Sequence, residues 1–371
     1  MKKLIIVYGI NSDGLGHTTR SIPIIDNLIK KGHKVYIISE KNVFNYLNNR
    51  YKNNIEVEQP QMDYSSNSVQ QLKTGINYVL SSKKTIKSIN KTMKIIKQLK
   101  PDIIISDLER STLYAGQFLE IPTISIDNHS AIFRGDVEFS FKNIGDFLLV
   151  KLLSKILCPR ADKYLALCFF RTKITKARTE VFDPILRDEI YKAKIKDENF
   201  IYIYNRFGAN IKNLKKILKK IKNEKFVVYG QELEETYKNI IFKGIKKDNY
   251  TDLAKAKAVI TNGGHSLISE SILFKKPIYS IPVKHQFEQE VNAYYIEKLG
   301  FGERHKDLNS RSLNNFISNV AFYKKNLSKH KFLNKNKFFK RLDEVIIELV
   351  RKKEEKIKLG LPKKLKFKLK G

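Results

Sequence analysis

The chain has 371 residues, 42% hydrophobic and 29% charged, a length for two domains and a composition that excludes wholesale disorder. Its two cysteines, Cys158 and Cys168, exclude a disulfide framework and a cysteine-built zinc site and fit a reducing cytoplasm. The net charge of +33 implies either polyanionic partners or a surface simply solvated by lysine, and no apolar run reaches the ~18 residues that would span a membrane.

Met1-Lys2-Lys3 followed by Leu4 to Ile10 imitates a signal peptide, but Asn11-Ser12-Asp13-Gly14 follows where a cleavage site would be. The run therefore reads as a first strand. Thr19 to Lys31 carries Ile22, Ile25, Leu28 and Ile29 at helical spacing, and Lys34 to Ser39 is strand-like again. That βαβ unit requires a parallel sheet with a right-handed crossover. Further strands are expected at Ile103 to Ser106, Thr123 to Ile126 and Tyr164 to Leu167, with a strongly apolar helix at Asn143 to Leu157. Residues 171–199 are polar and irregular and are read as the interdomain connection.

The pattern then restarts. Strands are expected at Phe200 to Tyr204, Phe226 to Tyr229, Ile240 to Lys243, Ala258 to Thr261 and Pro277 to Ile281. Helices are expected at Leu214 to Ile221, Tyr250 to Ala256, His265 to Phe274 and Gln289 to Leu299, and an amphipathic one at Phe338 to Val350. Two successive βα series make an α/β protein of two doubly wound, Rossmann-like domains facing a cleft. The expected boundaries are 1–185, 198–325 and a C-terminal helix with a basic tail over 326–371.

Two glycine loops can carry chemistry. Gly14-Leu15-Gly16-His17 follows strand one and opens a helix, where free N–H groups favour anions. His17 stands where open α/β sheets bind ligands and can act as a base near neutral pH, or merely cap the helix. Thr19 occupies the place of the third glycine of a dinucleotide fingerprint. Glu40 after strand two nevertheless keeps a nicotinamide-oxidoreductase reading open. The second loop, Asn262-Gly263-Gly264-His265-Ser266, again joins a strand to a helix and suits a diphosphate. Glu270, further along that helix, can accept ribose hydroxyls or be an ordinary solvated carboxylate. His285, Gln286, Glu288 and Gln289 crowd a loop whose polar density suits a sugar, or simply leads into the next helix.

Gly14-Leu15-Gly16-His17, Gly263-Gly264-His265-Ser266-x3-Glu270 and Glu288-Gln289-x2-Asn292-Ala293 together resemble the GT-B nucleotide-sugar glycosyltransferases. The nearest branch contains the lipid-linked peptidoglycan N-acetylglucosaminyltransferase (family 28-like) and its archaeal and bacterial relatives. The resemblance spans roughly residues 1 to 325. It implies an acceptor-binding first domain and a second domain holding a sugar nucleotide, UDP-linked by analogy. Gly14, Gly16 and His17 would lie at the interdomain cleft. Gly263, Gly264, His265 and Ser266 would hold the diphosphate, Glu270 the ribose, and Glu288 and Gln289 the sugar. Asn205 and Arg206 match a phosphate-contacting position. Where the lipid-linked branch often has an arginine before the glycines, this chain has Asn262.

The expected reaction is transfer of a hexose-type sugar to an acceptor hydroxyl with inversion, His17 taking the acceptor proton. Asp107, Asp127, Asn128 and His129 are alternative bases or acceptor contacts, Asp107 equally a helix cap. No Asp-x-Asp occurs, so no metal is expected. The competing readings are a sugar-nucleotide epimerase of the same fold and a non-catalytic polyanion or nucleic-acid binder, although no nucleic-acid signature is present. The stretch 324–371 carries 18 Lys+Arg against 5 Asp+Glu. With the apolar Asn143 to Leu157 segment it raises the expectation of a cytoplasmic enzyme peripheral to an anionic membrane, acting on a lipid-linked acceptor.

Overall fold

The computed structural model of the chain describes residues 2–12, 15–58, 64–65, 68–69, 82–139, 145, 148, 160–205, 210–246, 248–332 and 335–359. Gly14, Arg206, Cys158 and the tail from 360 onward lie outside the described residues. So does the expected helix Asn143 to Leu157, except for Gly145 and Leu148, which are helical and exposed.

The first domain is built on seven parallel strands in the order Thr179–Phe182, Lys163–Leu167, Thr123–Asp127, Ile103–Asp107, Ile5–Ile10, Lys34–Ser39, Asn54–Glu56. Runs such as Ile103-Ile104-Ile105 are buried along their whole length, as strands covered on both faces must be. The second sheet runs Glu234–Tyr237, Ile240–Lys243, Lys225–Tyr229, Phe200–Tyr204, Ala258–Thr261, Ile278–Ser280, Gly302–Arg304, with only the first strand antiparallel. In both sheets the winding reverses beside the domain's first strand. The reversal lies between Ile5–Ile10 and Ile103–Asp107 in one, and between Phe200–Tyr204 and Ala258–Thr261 in the other. Such switch points leave an open crevice at the carboxyl ends of the strands.

Three features depart from the sequence reading. Residues 171–199 are not all connection, because Thr179–Phe182 is the edge strand of the first sheet, parallel to Lys163–Leu167. Its polar character is that of an edge, with Glu180 taking ion pairs from Arg341 and from Lys163 at 2.5 Å. Secondly, the helix Lys335–Lys358 does not stand apart from the domains. It places Phe338, Leu342, Val345, Ile346 and Val350 in the first domain's core beside Leu28 and Phe182. An apolar stripe on a 24-residue helix needs a covering surface, and the first sheet's flank supplies it. Finally, the two domains share a hydrophobic cluster, in which Ala131, Ile132, Phe169 and Phe170 pack against Ile268, Phe287, Val291 and Tyr295. The Phe170 and Tyr295 rings stack at 3.7 Å. Cys168 is buried in that cluster, where burial pushes its thiol up to about 12 and removes it as a nucleophile.

Candidate active site

The helices Leu15–Lys30 and His265–Leu273 each begin at a switch point, and their N-terminal turns meet across the domain boundary. Ser266 Oγ donates to the Gly16 carbonyl at 3.3 Å, and a Cβ on Gly16 would lie 2.9 Å from that hydroxyl. Neither first turn carries an acidic side chain, which suits an anion in the crevice.

His17 lies one turn before Arg20 on the same helix. Its Nδ1 is 2.8 Å from Asp107 Oδ1 and 2.7 Å from Arg20 Nη2. Arg20 grips Asp107 bidentately, with Nε donating to Oδ2 at 2.6 Å and Nη2 to Oδ1, and its Nη1 donates to Asn128 Oδ1 at 2.7 Å. Burial disfavours the Asp107 carboxylate, but Arg20 and His17 outweigh it and hold the group at about 2. Asp107 is 1% exposed and His17 13%, so the imidazole is the more accessible of the two and the buried carboxylate fixes its orientation.

The network crosses to the second domain at Glu288. Asn128 Nδ2 donates to Glu288 Oε1, and His129 Nε2 pairs with Oε2 at 2.8 Å. Burial opposes both charges of this pair. Mutual attraction prevails, lowering Glu288 to about 2 and raising His129 above the ordinary imidazole value. Asn292 Nδ2 donates to the Gly263 carbonyl at 2.8 Å and reaches Glu288 Oε1 at 3.3 Å. Asp127 turns inward and accepts from Ser125 Oγ, Ser130 N and Ser130 Oγ at 2.5, 2.6 and 2.9 Å.

The two glycines of the second loop differ. A Cβ on Gly263 would sit 2.3 Å from the Gln289 carbonyl, so this glycine lets helix Phe287–Lys298 pack onto the loop. A Cβ on Gly264 would meet nothing nearer than Asn262 at 3.8 Å, leaving that backbone open to a ligand. Asn262 Oδ1 accepts from Thr261 Oγ1 at 3.3 Å. Gln289 Oε1 accepts from Val283 N at 3.0 Å and tightens the loop before it. His265 faces Phe169 of the first domain, and burial with the Arg20 charge pushes its pKa down to about 3, so it is neutral. Asn205 is fully buried at the end of strand Phe200–Tyr204, its carbonyl accepting from Gln231 Nε2 at 2.8 Å. Glu270 is no solvated carboxylate. It is 8% exposed, Arg187 Nη2 lies 3.8 Å away, and burial raises it to about 7 against that cation's pull.

The structure thus brings His17, Asp107, Asn128, His129 and Glu288 into one network and places Gly16 against Ser266. Sequence reasoning missed Arg20, the hub of that network, and Arg187. The signal for Arg20 was its position three residues after His17, on the same helix face. Glu40 belongs to the first loop's support, its backbone N–H donating to Ser12 Oγ at 3.3 Å.

Comparison with known proteins bears on the fold and the family. An uncharacterized glycosyltransferase of Methanosarcina mazei is 25% identical over 337 residues, 81% of this chain and 85% of that one. The UDP-N-acetylglucosamine–N-acetylmuramyl-(pentapeptide) pyrophosphoryl-undecaprenol N-acetylglucosamine transferase of Streptococcus agalactiae is 24% identical over 350 residues, 85% and 90% of the two chains. Among solved structures, the calicheamicin glycosyltransferase CalG4 superposes with a TM-score of 0.64 at 12% identity over 97% of this chain and 98% of its own. The glycosyltransferase VinC in complex with DTDP does so with a TM-score of 0.63 at 12% identity, over 94% and 100%. These likenesses establish the GT-B fold. The sequence profile described as glycosyl transferase family 1 matches residues 4–321, and the chain belongs to that family of transferases.

Proposed function

We propose that the protein moves a hexose-type sugar from a nucleoside-diphosphate donor, UDP-linked by analogy with the streptococcal relative, to an acceptor hydroxyl with inversion and without a resident metal. The observation that carries the reading is the meeting of two helix N-termini, neither with an acidic side chain in its first turn, beside a His17–Asp107 pair. Family membership sets aside the oxidoreductase and polyanion-binder readings.

In this reading Nδ1–H of His17 donates to Asp107, which leaves Nε2 free to take the acceptor proton as the oxygen attacks the anomeric carbon. The bond from that carbon to the diphosphate oxygen breaks, and the nucleoside diphosphate leaves with the electron pair. The open Gly264 backbone and the helix start behind it stabilise the charge that develops there. Glu270 receives the ribose hydroxyls, and Glu288, with Gln289 beside it, reads the sugar. A thermal-shift panel of sugar nucleotides tests the donor, since a ligand of the native state raises stability by mass action. A rise with UDP- or TDP-sugars supports the reading, no rise with any member refutes it, and activity abolished by chelator and restored by a divalent ion refutes metal independence.

The streptococcal relative's name specifies a lipid-linked acceptor, and the 18 Lys+Arg of 324–371 suit an anionic leaflet. We therefore place the enzyme at the cytoplasmic membrane surface. Among the described residues no helix is long and apolar enough to cross it. Co-sedimentation with anionic vesicles, weakened by salt and by deletion of 351–371, tests this; equal binding to neutral vesicles, or none to either, refutes it.

A further inference from the structure

Next to the His129–Glu288 pair, on the first-domain side, the structure contains a cavity of about 440 Å³. Five cationic side chains line it: Arg110, Arg134, Arg160, Lys176 and Arg178. Among the described residues the one acidic residue of the lining is Asp127, whose carboxylate is already held by Ser125 and Ser130. Among the described lining residues cations thus outnumber carboxylates five to one, and Arg134, Arg160 and Arg178 have no carboxylate partner among the described residues. None of the sequence motifs and none of the donor contacts proposed above accounts for it.

The lining is a built one. The Arg134 guanidinium lies 3.7 Å over the Tyr164 ring, with Nε donating to Thr179 Oγ1 at 2.7 Å and Nη2 to the Ala177 carbonyl at 2.9 Å. Those bonds fix both the guanidinium and the 176–178 segment carrying Lys176 and Arg178. Arg178 itself holds a left-handed backbone at φ 67°, a conformation that an arginine adopts only when its surroundings impose it. Arg160 and Arg178 have no ion-pair partner among the described residues. His129 belongs to both the cavity wall and the pair with Glu288, so the cavity opens beside the proposed transfer site.

We infer that this cavity is a subsite for a phosphate or diphosphate group on the acceptor. Guanidinium forks match phosphoryl oxygens in geometry and charge, and several of them around one partly open cavity suit an anion of more than one charge. The donor diphosphate has its own place at the helix start of the second domain. The inference rests on the reading of the first domain as the acceptor side and names the chemistry of that acceptor.

The test uses the full chain with UDP saturating the donor site and inorganic pyrophosphate as probe, followed by calorimetry at two salt concentrations. Pyrophosphate binding in the presence of UDP, weakened by salt and at least about tenfold in Arg160→Gln/Arg178→Gln, supports the subsite. UDP affinity stays unchanged in that variant. Both side chains are exposed, so their replacement leaves the fold intact, as a circular-dichroism melt will show. Farnesyl diphosphate and glucose 6-phosphate form the two further arms. Tighter binding of the former assigns a lipid-linked acceptor, and tighter binding of the latter a soluble phosphorylated one. Pyrophosphate that only competes with UDP, or that binds the double variant as well as the wild type, overturns the inference. Failure of UDP itself to bind overturns the donor reading alone, since pyrophosphate binding without nucleotide is still scored against the double variant.

Discussion

Replacing Glu270 by Gln should make the protein more stable and a worse nucleotide binder. The carboxylate is 8% exposed, Arg187 lies at 3.8 Å, and burial raises it from 4.5 to about 7. A carboxyl group whose folded pKa is raised contributes stability that is fully present below the unfolded value and lost as pH rises through the folded one. At pH 8 the wild type therefore carries a cost of about 3.4 kcal/mol at most, from ~2.5 pKa units at ~1.36 kcal/mol each. Water in the cleft and Arg187 relieve part of that. Half of it corresponds to a rise of roughly 3–7 °C in Tm for Glu270→Gln, on the scale of a 150–250-residue domain. At pH 5, where the folded-state group is protonated, the difference should shrink toward zero. Melts at both pH values, with and without UDP, measure all of this. The same variant should bind UDP about tenfold more weakly, because a charged acceptor for ribose hydroxyls has become a neutral one. A Gln variant that is destabilised at pH 8, or whose gain persists at pH 5, would show that the carboxylate is not strained. Unchanged UDP affinity would remove the ribose role.

Asp107→Ala leaves the Arg20 charge buried without its partner and should cost about 3–5 kcal/mol, read by urea titration, with Asp107→Asn milder. His17→Ala should lower turnover by about 10² to 10⁴-fold while UDP affinity stays near wild type; intact turnover would move the base elsewhere. Gly263→Ala should destabilise the fold, since its Cβ would meet the Gln289 carbonyl at 2.3 Å, whereas Gly264→Val should fold normally and lose diphosphate binding. Asp107 and Glu288 are both held at about 2, so their stabilisation is present above about pH 4 and should disappear as pH falls toward 2, visible as a falling Tm.

The strands were legible in the sequence because parallel strands buried on both faces are continuous apolar runs; Lys34–Ser39, Phe200–Tyr204 and Ala258–Thr261 are found where the pattern puts them. Thr179–Phe182 was not, because an edge strand needs only half an apolar face and Glu180 belongs to an ion-pair network. The two glycine loops were legible from their place between strand and helix. Which glycine packs and which stays open was not, because that depends on Gln289, remote in sequence. Arg20 was hidden for the same reason. Its partners Asp107 and Asn128 are 87 and 108 residues away, and the local His17–Arg20 spacing places the guanidinium on the site's helix face without showing that it is buried between them.

The helix Lys335–Lys358 gives the first domain an unusual history during synthesis. Its sheet is complete once Phe182 has been made, yet Phe338 to Val350, which seal one side of its core, follow a whole domain later. At 5–20 residues per second the wait is roughly 10 to 30 seconds, during which Phe182 lacks the Phe338 ring that packs on it in the finished fold. The second domain, continuous in sequence, can close first. A nascent chain arrested between the two points thus carries an open apolar face that the finished protein never shows. Any fragment cut at the interdomain connection inherits that face, and supplying residues 335–358 in trans is the direct way to cover it.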